Sequence, residues 1–168
     1  MFKFSNNLII TNNMPLQIGQ PAPEFKSHDT EKNLVHLSDF KGRPVVLLFF
    51  PAAFTNVCTA ELCSVRDEIS LYNKVNAEVI GISVDMPFSL KKYKEDQNLN
   101  FTLLSDFNKI ISINYDCLYE TFAGWLHGVS KRSAFVIDKD GIIQYAEVLE
   151  NAGELPNLAE VKKTLANL

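Results

Sequence analysis

The chain has 168 residues, 46% of them hydrophobic and 21% charged, with a net charge of −4. Length and composition fit a soluble globular chain with room for a core. The mild acidic balance gives no reason to expect nucleic acid or an anionic membrane as a partner, and no apolar run reaches the roughly 18 residues of a membrane span.

Residues 1–13 are rich in asparagine and contain Leu8-Ile9-Ile10, but no apolar stretch long enough for a signal peptide. They read as an N-terminal extension ahead of a single domain over 14–168. Without export, the expected location is the reducing cytoplasm. Three cysteines in such a compartment argue against a structural disulfide framework and for redox or catalytic use.

Two short edge strands are expected first, Glu24-Phe25-Lys26 and Leu34-Val35-His36-Leu37, joined by a polar turn over 29–33. The run from Val45 to Phe50 is nearly all apolar, as in a central strand buried on both faces. A helix is expected from about Val57, carrying Cys58, Leu62, Val65, Ile69 and Tyr72 on one apolar stripe. A second central strand spans Glu78 to Val84. Pro87 then starts a helix over Phe88 to Asn98. Its Lys91, Lys92 and Lys94 lie among Glu95 and Asp96 and read as a solvated face. A strand at Phe101–Leu104 and a short helix at Asn108–Tyr115 follow. Asp138-Lys139-Asp140-Gly141 is a hairpin signal between strands Ser133–Ile137 and Ile142–Val148. A helix over Asn157–Leu168 closes the chain. Two β-α-β units, a hairpin and a terminal helix describe an α/β, thioredoxin-like fold with a central mixed sheet flanked by helices.

Cys58 stands out within this order. An apolar strand runs into Pro51, a short loop follows, and the thiol falls in the first turn of the next helix. Amides there lack intrahelical partners, and the helix dipole adds about half a positive charge. Both favour thiolate, the nucleophilic form, over a thiol of ordinary pKa about 8.5. Pro51 can shield the sulfur from water. Thr55 is placed to cap the helix or to bond the sulfur through its hydroxyl. Glu61 lies three residues on, near the same helix face, and would disfavour a neighbouring thiolate unless a cation intervened. Arg132 is the candidate cation. The strand that follows it is expected beside the end of Val45–Phe50, where separate arms of the guanidinium could reach Glu61 and the sulfur.

The pattern Pro51-x-x-x-Thr55-x-x-Cys58, with Phe50 before it, Thr59-x-Glu61 after it and a distant Arg132, resembles the active site of the peroxiredoxins. Gly19-x-x-Ala22-Pro23-x-Phe25 extends the resemblance to roughly Met14–Leu168. It implies a thiol-dependent peroxidase of hydrogen peroxide and organic hydroperoxides, with Cys58 as peroxidatic cysteine and Pro51, Thr55 and Arg132 as its partners. The implied partners are a peroxide and a thioredoxin-type or small-thiol reductant, with the chain a monomer or homodimer. No cofactor is implied.

Cys63 follows Cys58 by five residues. This Cys-x4-Cys spacing resembles the Q-type, bacterioferritin-comigratory branch, where it would make Cys63 the resolving cysteine. Phe-Pro-Ala-Ala-Phe-Thr-Asn-Val-Cys resembles instead the E-type branch, which often lacks one, and both readings stay open. On an intact helix, residues five apart have Cα atoms about 8–9 Å apart, whereas a disulfide needs less than about 7 Å. Bridging therefore requires the first helical turns to unwind. Cys117 reads as a packed small hydrophobe. His28, His36 and His127 are scattered singly at loop or surface positions and form no zinc spacing with the cysteines. Phe122 and Trp125 read as core or interface aromatics. The rival readings are a thiol–disulfide oxidoreductase and a redox-sensing or holdase protein on the same fold. The first would carry Cys-x-x-Cys and a proline where this chain has Ser130-Lys131-Arg132.

Overall fold

The computed structural model of the protein describes residues 16–168, so the extension read over 1–13 lies outside the described residues. The chain begins with a hairpin of β1 (Lys26–Asp29) and β2 (Leu34–His36), followed by a 3-10 turn at Leu37–Phe40. Next come β3 (Val45–Phe49), α1 (Asn56–Asp67), α2 (Ile69–Lys74), β4 (Glu78–Ser83), α3 (Pro87–Asp96), β5 (Thr102–Ser105) and α4 (Ile110–Asn114). The strands β6 (Leu118–Tyr119), β7 (Val129–Ser130), β8 (Ser133–Ile137) and β9 (Ile143–Val148) lead to α5 (Leu158–Ala166).

Seven strands form one sheet in the order β2-β1-β5-β4-β3-β8-β9. β3, β4 and β5 run parallel, while β1 and β8 pair antiparallel on either side of them. Every residue of β3 is buried. Because side chains alternate across a strand, Val46, Leu48 and Phe50 enter one core cluster with residues of α1, α2, α3 and α5. Val45, Leu47 and Phe49 enter the other with Phe25, Ile111 of α4, Tyr115 and Phe135. Helices thus cover both faces, which is the mixed-sheet α/β architecture expected.

Several boundaries differ from the sequence reading. The single helix expected through Tyr72 breaks at Glu68, whose amide is shared between the Ser64 and Val65 carbonyls at 3.3 and 3.2 Å. This tightened turn ends α1, and α2 restarts so that Tyr72 still reaches the same core cluster. The first strand of the hairpin is shifted by about two residues and is not an edge strand, since β1 pairs with β5 as well as with β2; Asp29 both ends it and organises the turn by accepting from the Glu31 and Asn33 amides. The β6–β7 ribbon has no counterpart in the sequence reading, because two-residue strands show no alternation. Trp125, between them, is 70% exposed and belongs to neither core cluster of the described residues. At the other hairpin, Asp138 accepts from the Asp140 and Ile142 amides while Gly141 takes φ +85°, so the expected turn forms.

Candidate active site

The end of β3 and the start of α1 build the site. Phe50 donates its amide to Ile82, and Pro51, buried, closes the strand. In the loop that follows, Phe54 adopts φ +63° and sets its ring edge-on to Tyr93, with centroids 5.0 Å apart. A non-glycine residue in this region is strained and needs its surroundings to hold it. Part of that hold comes from Asp85, just beyond β4. Its Oδ2 accepts from the Ala53 amide at 2.8 Å and from the buried Ser83 hydroxyl at 2.7 Å.

Thr55 has the extended backbone of an N-cap, and the first helical bond runs from Thr59 N–H to the Thr55 carbonyl. The amides of Asn56, Val57 and Cys58 therefore precede the intrahelical ladder. The expected side-chain cap is absent. The Thr55 hydroxyl instead donates to the Ala52 carbonyl at 3.0 Å, folding back onto its own loop.

Cys58 occupies the third position of α1 and is 1% exposed. Register explains what faces it. Phe49 pairs with Ser133, so the residue before β8 is delivered to the end of β3. That residue, Arg132, is also 1% exposed. Its Nη2 donates to Cys58 Sγ at 3.4 Å and its Nη1 donates to Glu61 Oε2, through separate arms of the fork. Nη2 and Nε also donate to the Ala152 carbonyl at 2.9 and 3.2 Å. The sequence carries no signal for a backbone acceptor on a distant loop. Asp85 was also missed, although an acid just past the C-terminal end of a parallel strand is a common place for site residues.

Glu61 is fully buried, and its Oε1 has no hydrogen-bond partner among the described residues. Burial pushes its carboxyl up to about 7 against the opposing pull of the Arg132 guanidinium. Cys58, Glu61 and Arg132 thus form one buried sulfur–guanidinium–carboxyl cluster at a helix start.

Cys63 is not part of that cluster. Its thiol points toward the end of α3, 3.7 Å from Gln97 Oε1, and Arg66 Nη1 donates to its sulfur at 3.4 Å. All three cysteines are free. Cys117 is wholly buried in the second core cluster, and desolvation holds its thiol far above the usual range. That leaves it a packing residue.

Residues 18–146 match the AhpC/TSA family. Peroxiredoxin Q, chloroplastic, of Oryza sativa subsp. japonica is 42% identical over 127 residues, which are 76% of this chain and 57% of that protein's length. Peroxiredoxin Bcp of Escherichia coli (strain K12) is 37% identical over 132 residues, 78% of this chain and 85% of the relative. Among solved structures, peroxidoxin BcpB from Mycobacterium tuberculosis superposes with a TM-score of 0.80 at 29% identity, covering 91% of this chain and 98% of that one. The chain therefore belongs to the AhpC/TSA family, among the peroxiredoxins.

Proposed function

We propose that this chain is a thiol-dependent peroxidase that reduces hydrogen peroxide and organic hydroperoxides through Cys58. The observation that carries this reading is the Arg132 fork, which donates to the Cys58 sulfur and to Glu61 at the open end of α1. The Cys58 thiolate attacks the terminal oxygen of ROOH, forming S–O as O–O breaks. RO⁻ leaves and takes a proton, and Cys58 becomes a sulfenic acid. Negative charge passes from sulfur to both oxygens during the step. Arg132 and the unpaired amides of α1 are fixed donors in a dry site, where such donors act most strongly. Pro51 keeps water from the sulfur. The Thr55 proton is engaged on Ala52, so its hydroxyl offers lone pairs to the hydroperoxide O–H rather than a proton to the sulfur. Glu61 orients the guanidinium.

Asp85 serves this chemistry by fixing the loop. Asp85→Ala would leave the Ala53 amide unpaired and loosen the segment that delivers Thr55 and Cys58. A drop of about 10- to 100-fold in the second-order rate with peroxide is expected, the scale of a misplacement near 1 Å. Far-UV circular dichroism should stay unchanged. An unaltered rate would show that the loop holds its shape without Asp85.

We infer further that Cys63 resolves the sulfenic acid and that a thioredoxin-type dithiol or small thiol, in a reducing compartment such as the cytoplasm, completes the cycle. The Cys-x4-Cys spacing and the Q and Bcp names of the relatives support this over a one-cysteine cycle. A plain thiol–disulfide oxidoreductase is not favoured, since Arg132 stands where that chemistry would place a proline. The test is intact mass after one equivalent of peroxide. Loss of two hydrogens marks a 58–63 disulfide, and gain of one oxygen marks a stable sulfenic acid and a one-cysteine cycle. Glu61 and Leu62, both fully buried, lie between the two cysteines. Disulfide formation is therefore expected to remove about one to two helical turns of circular dichroism signal. A disulfide formed with no loss of helix would overturn the unwinding. Continued peroxide consumption with a thiol reductant separates a catalyst from a sensor, which reacts once.

A further inference from the structure

Cys63 sits in a polar cradle that the peroxidatic chemistry does not use. Arg66 follows it by three residues on the same face of α1. One edge of the Arg66 guanidinium pairs with Asp67, with Nε and Nη2 each 2.8 Å from Oδ1. Such a pair alone would make Arg66 an ordinary surface arginine. Its remaining arm turns inward, however. Nη1 donates to the Gln97 carbonyl at 2.6 Å and to Cys63 Sγ at 3.4 Å. Gln97 caps the C-terminus of α3, where open carbonyls favour a cation. The Gln97 side chain completes the cradle, with Oε1 placed to accept from the Cys63 S–H at 3.7 Å. Turned over, the same carboxamide presents N–H groups to a thiolate. Asn100 Nδ2 adds a bond to the Arg66 carbonyl at 3.2 Å, tying this part of α1 to the segment beyond α3.

We propose that Arg66 and Gln97 aim the Cys63 sulfur and stabilise the charge it carries in its attack on the oxidised Cys58, an inference that rests on the two-cysteine reading above. In that step the Cys63 thiolate attacks the Cys58 sulfur and an S–S bond forms as the S–OH bond breaks. Hydroxide departs and is protonated to water. Cys63 sulfur is oxidised and Cys58 sulfur reduced, so no outside oxidant is needed. Only a thiolate attacks in this way, and a guanidinium on the sulfur favours it. The cradle also assigns the motion. The Cys63 end of α1 is tied to α3, so the Cys58 turn is the part that unwinds and travels. Arg66 is a positioning and activating residue for the second step alone, because Cys58 has its own arginine.

The titratable groups around Cys63 leave Arg66 as the one to test. Asp67 stands behind Arg66 on α1. Tyr93 on α3 donates to Thr59, and burial pushes its hydroxyl up to about 12, leaving it neutral. The experiment follows Arg66→Gln and Arg66→Lys through one equivalent of hydrogen peroxide, with acid quenching and intact mass across a range of pH. The first oxidation is expected within about twofold of wild type in both. Disulfide formation near neutral pH should slow about tenfold or more in Arg66→Gln and recover as pH rises by about one unit, the least effect expected from losing a neighbouring cation. Arg66→Lys, which keeps the charge, should recover part of the rate. An unchanged rate and pH profile of disulfide formation would overturn the proposal, as would a slowing that alkaline pH does not relieve. Equal loss of the first oxidation would also overturn it by showing damage to the fold. Absence of any 58–63 disulfide in wild type would remove the two-cysteine reading itself, and this inference with it.

Discussion

Cys58→Ser is expected to abolish peroxide turnover while leaving the fold in place. The side chain is 1% exposed, and serine differs from it by one atom that can still accept from Arg132 Nη2. Packing and the charge balance of the cluster are thus largely kept. What is lost is the nucleophile, since a serine hydroxyl stays protonated and no base stands against it. Neither other cysteine can substitute. Cys117 is buried with its thiol held far above the usual range, and Cys63 lies outside the reach of Arg132 as the helix stands. Residual turnover above a few per cent of wild type, with an unchanged circular dichroism spectrum, would remove Cys58 from its proposed role.

The parts of the fold legible in the sequence are those where a long run of one period dominates. Val45–Phe49 has five consecutive buried residues and no competing reading, and Asp138 to Gly141 carries its turn chemistry in its residue types. The illegible parts are those set by tertiary partners. The break at Glu68 is one: the apolar stripe continues across it into Tyr72, so periodicity alone predicts one helix where the chain forms two. The β6–β7 ribbon is another, because the pairing of Leu118–Tyr119 with Val129–Ser130 is specified across a loop and not by local pattern.

The site divides in the same way. Cys58 and Pro51 follow from the strand–loop–helix pattern. Arg132 follows from a topological step, the pairing of β8 with β3, which turns a residue 74 positions away into a neighbour. Thr55 was placed by position but not by bonding. A hydroxyl at a helix start has several acceptors and donors within reach, and residue type alone does not select the Ala52 carbonyl over a cap. Ala152 acts through loop geometry, which no residue type announces, while Asp85 has only its place just past the end of β4 to mark it.

Arg132 carries the second large effect. Arg132→Lys keeps a positive charge but replaces a planar fork with a point charge on a flexible stem. The guanidinium now spans three acceptors on two segments: Cys58 Sγ and Glu61 Oε2 on α1, and the Ala152 carbonyl on a distant loop. An ammonium drawn to the Glu61 carboxylate would leave the sulfur without its donor, so a loss of about 10²-fold or more in the second-order rate is expected. A rate equal to wild type would make Arg132 a bystander. Arg132→Met tests the other half of the cluster. Breaking a buried pair by removing one partner costs about 3–5 kcal/mol, and the cost should depend on pH through Glu61. Its folded value of about 7 lies above the ordinary 4.5. Between those values the folded state holds a proton that the unfolded chain has lost, so this group's contribution to stability falls as pH rises through that window and levels off above it. Without the Arg132 guanidinium, burial acts on Glu61 unopposed and the upper edge of the window moves higher. Denaturant unfolding on either side of pH about 7 should therefore show Arg132→Met still losing stability above the point where wild type has levelled. Parallel stability profiles for the two proteins would mean that Glu61 does not depend on Arg132 for its charge.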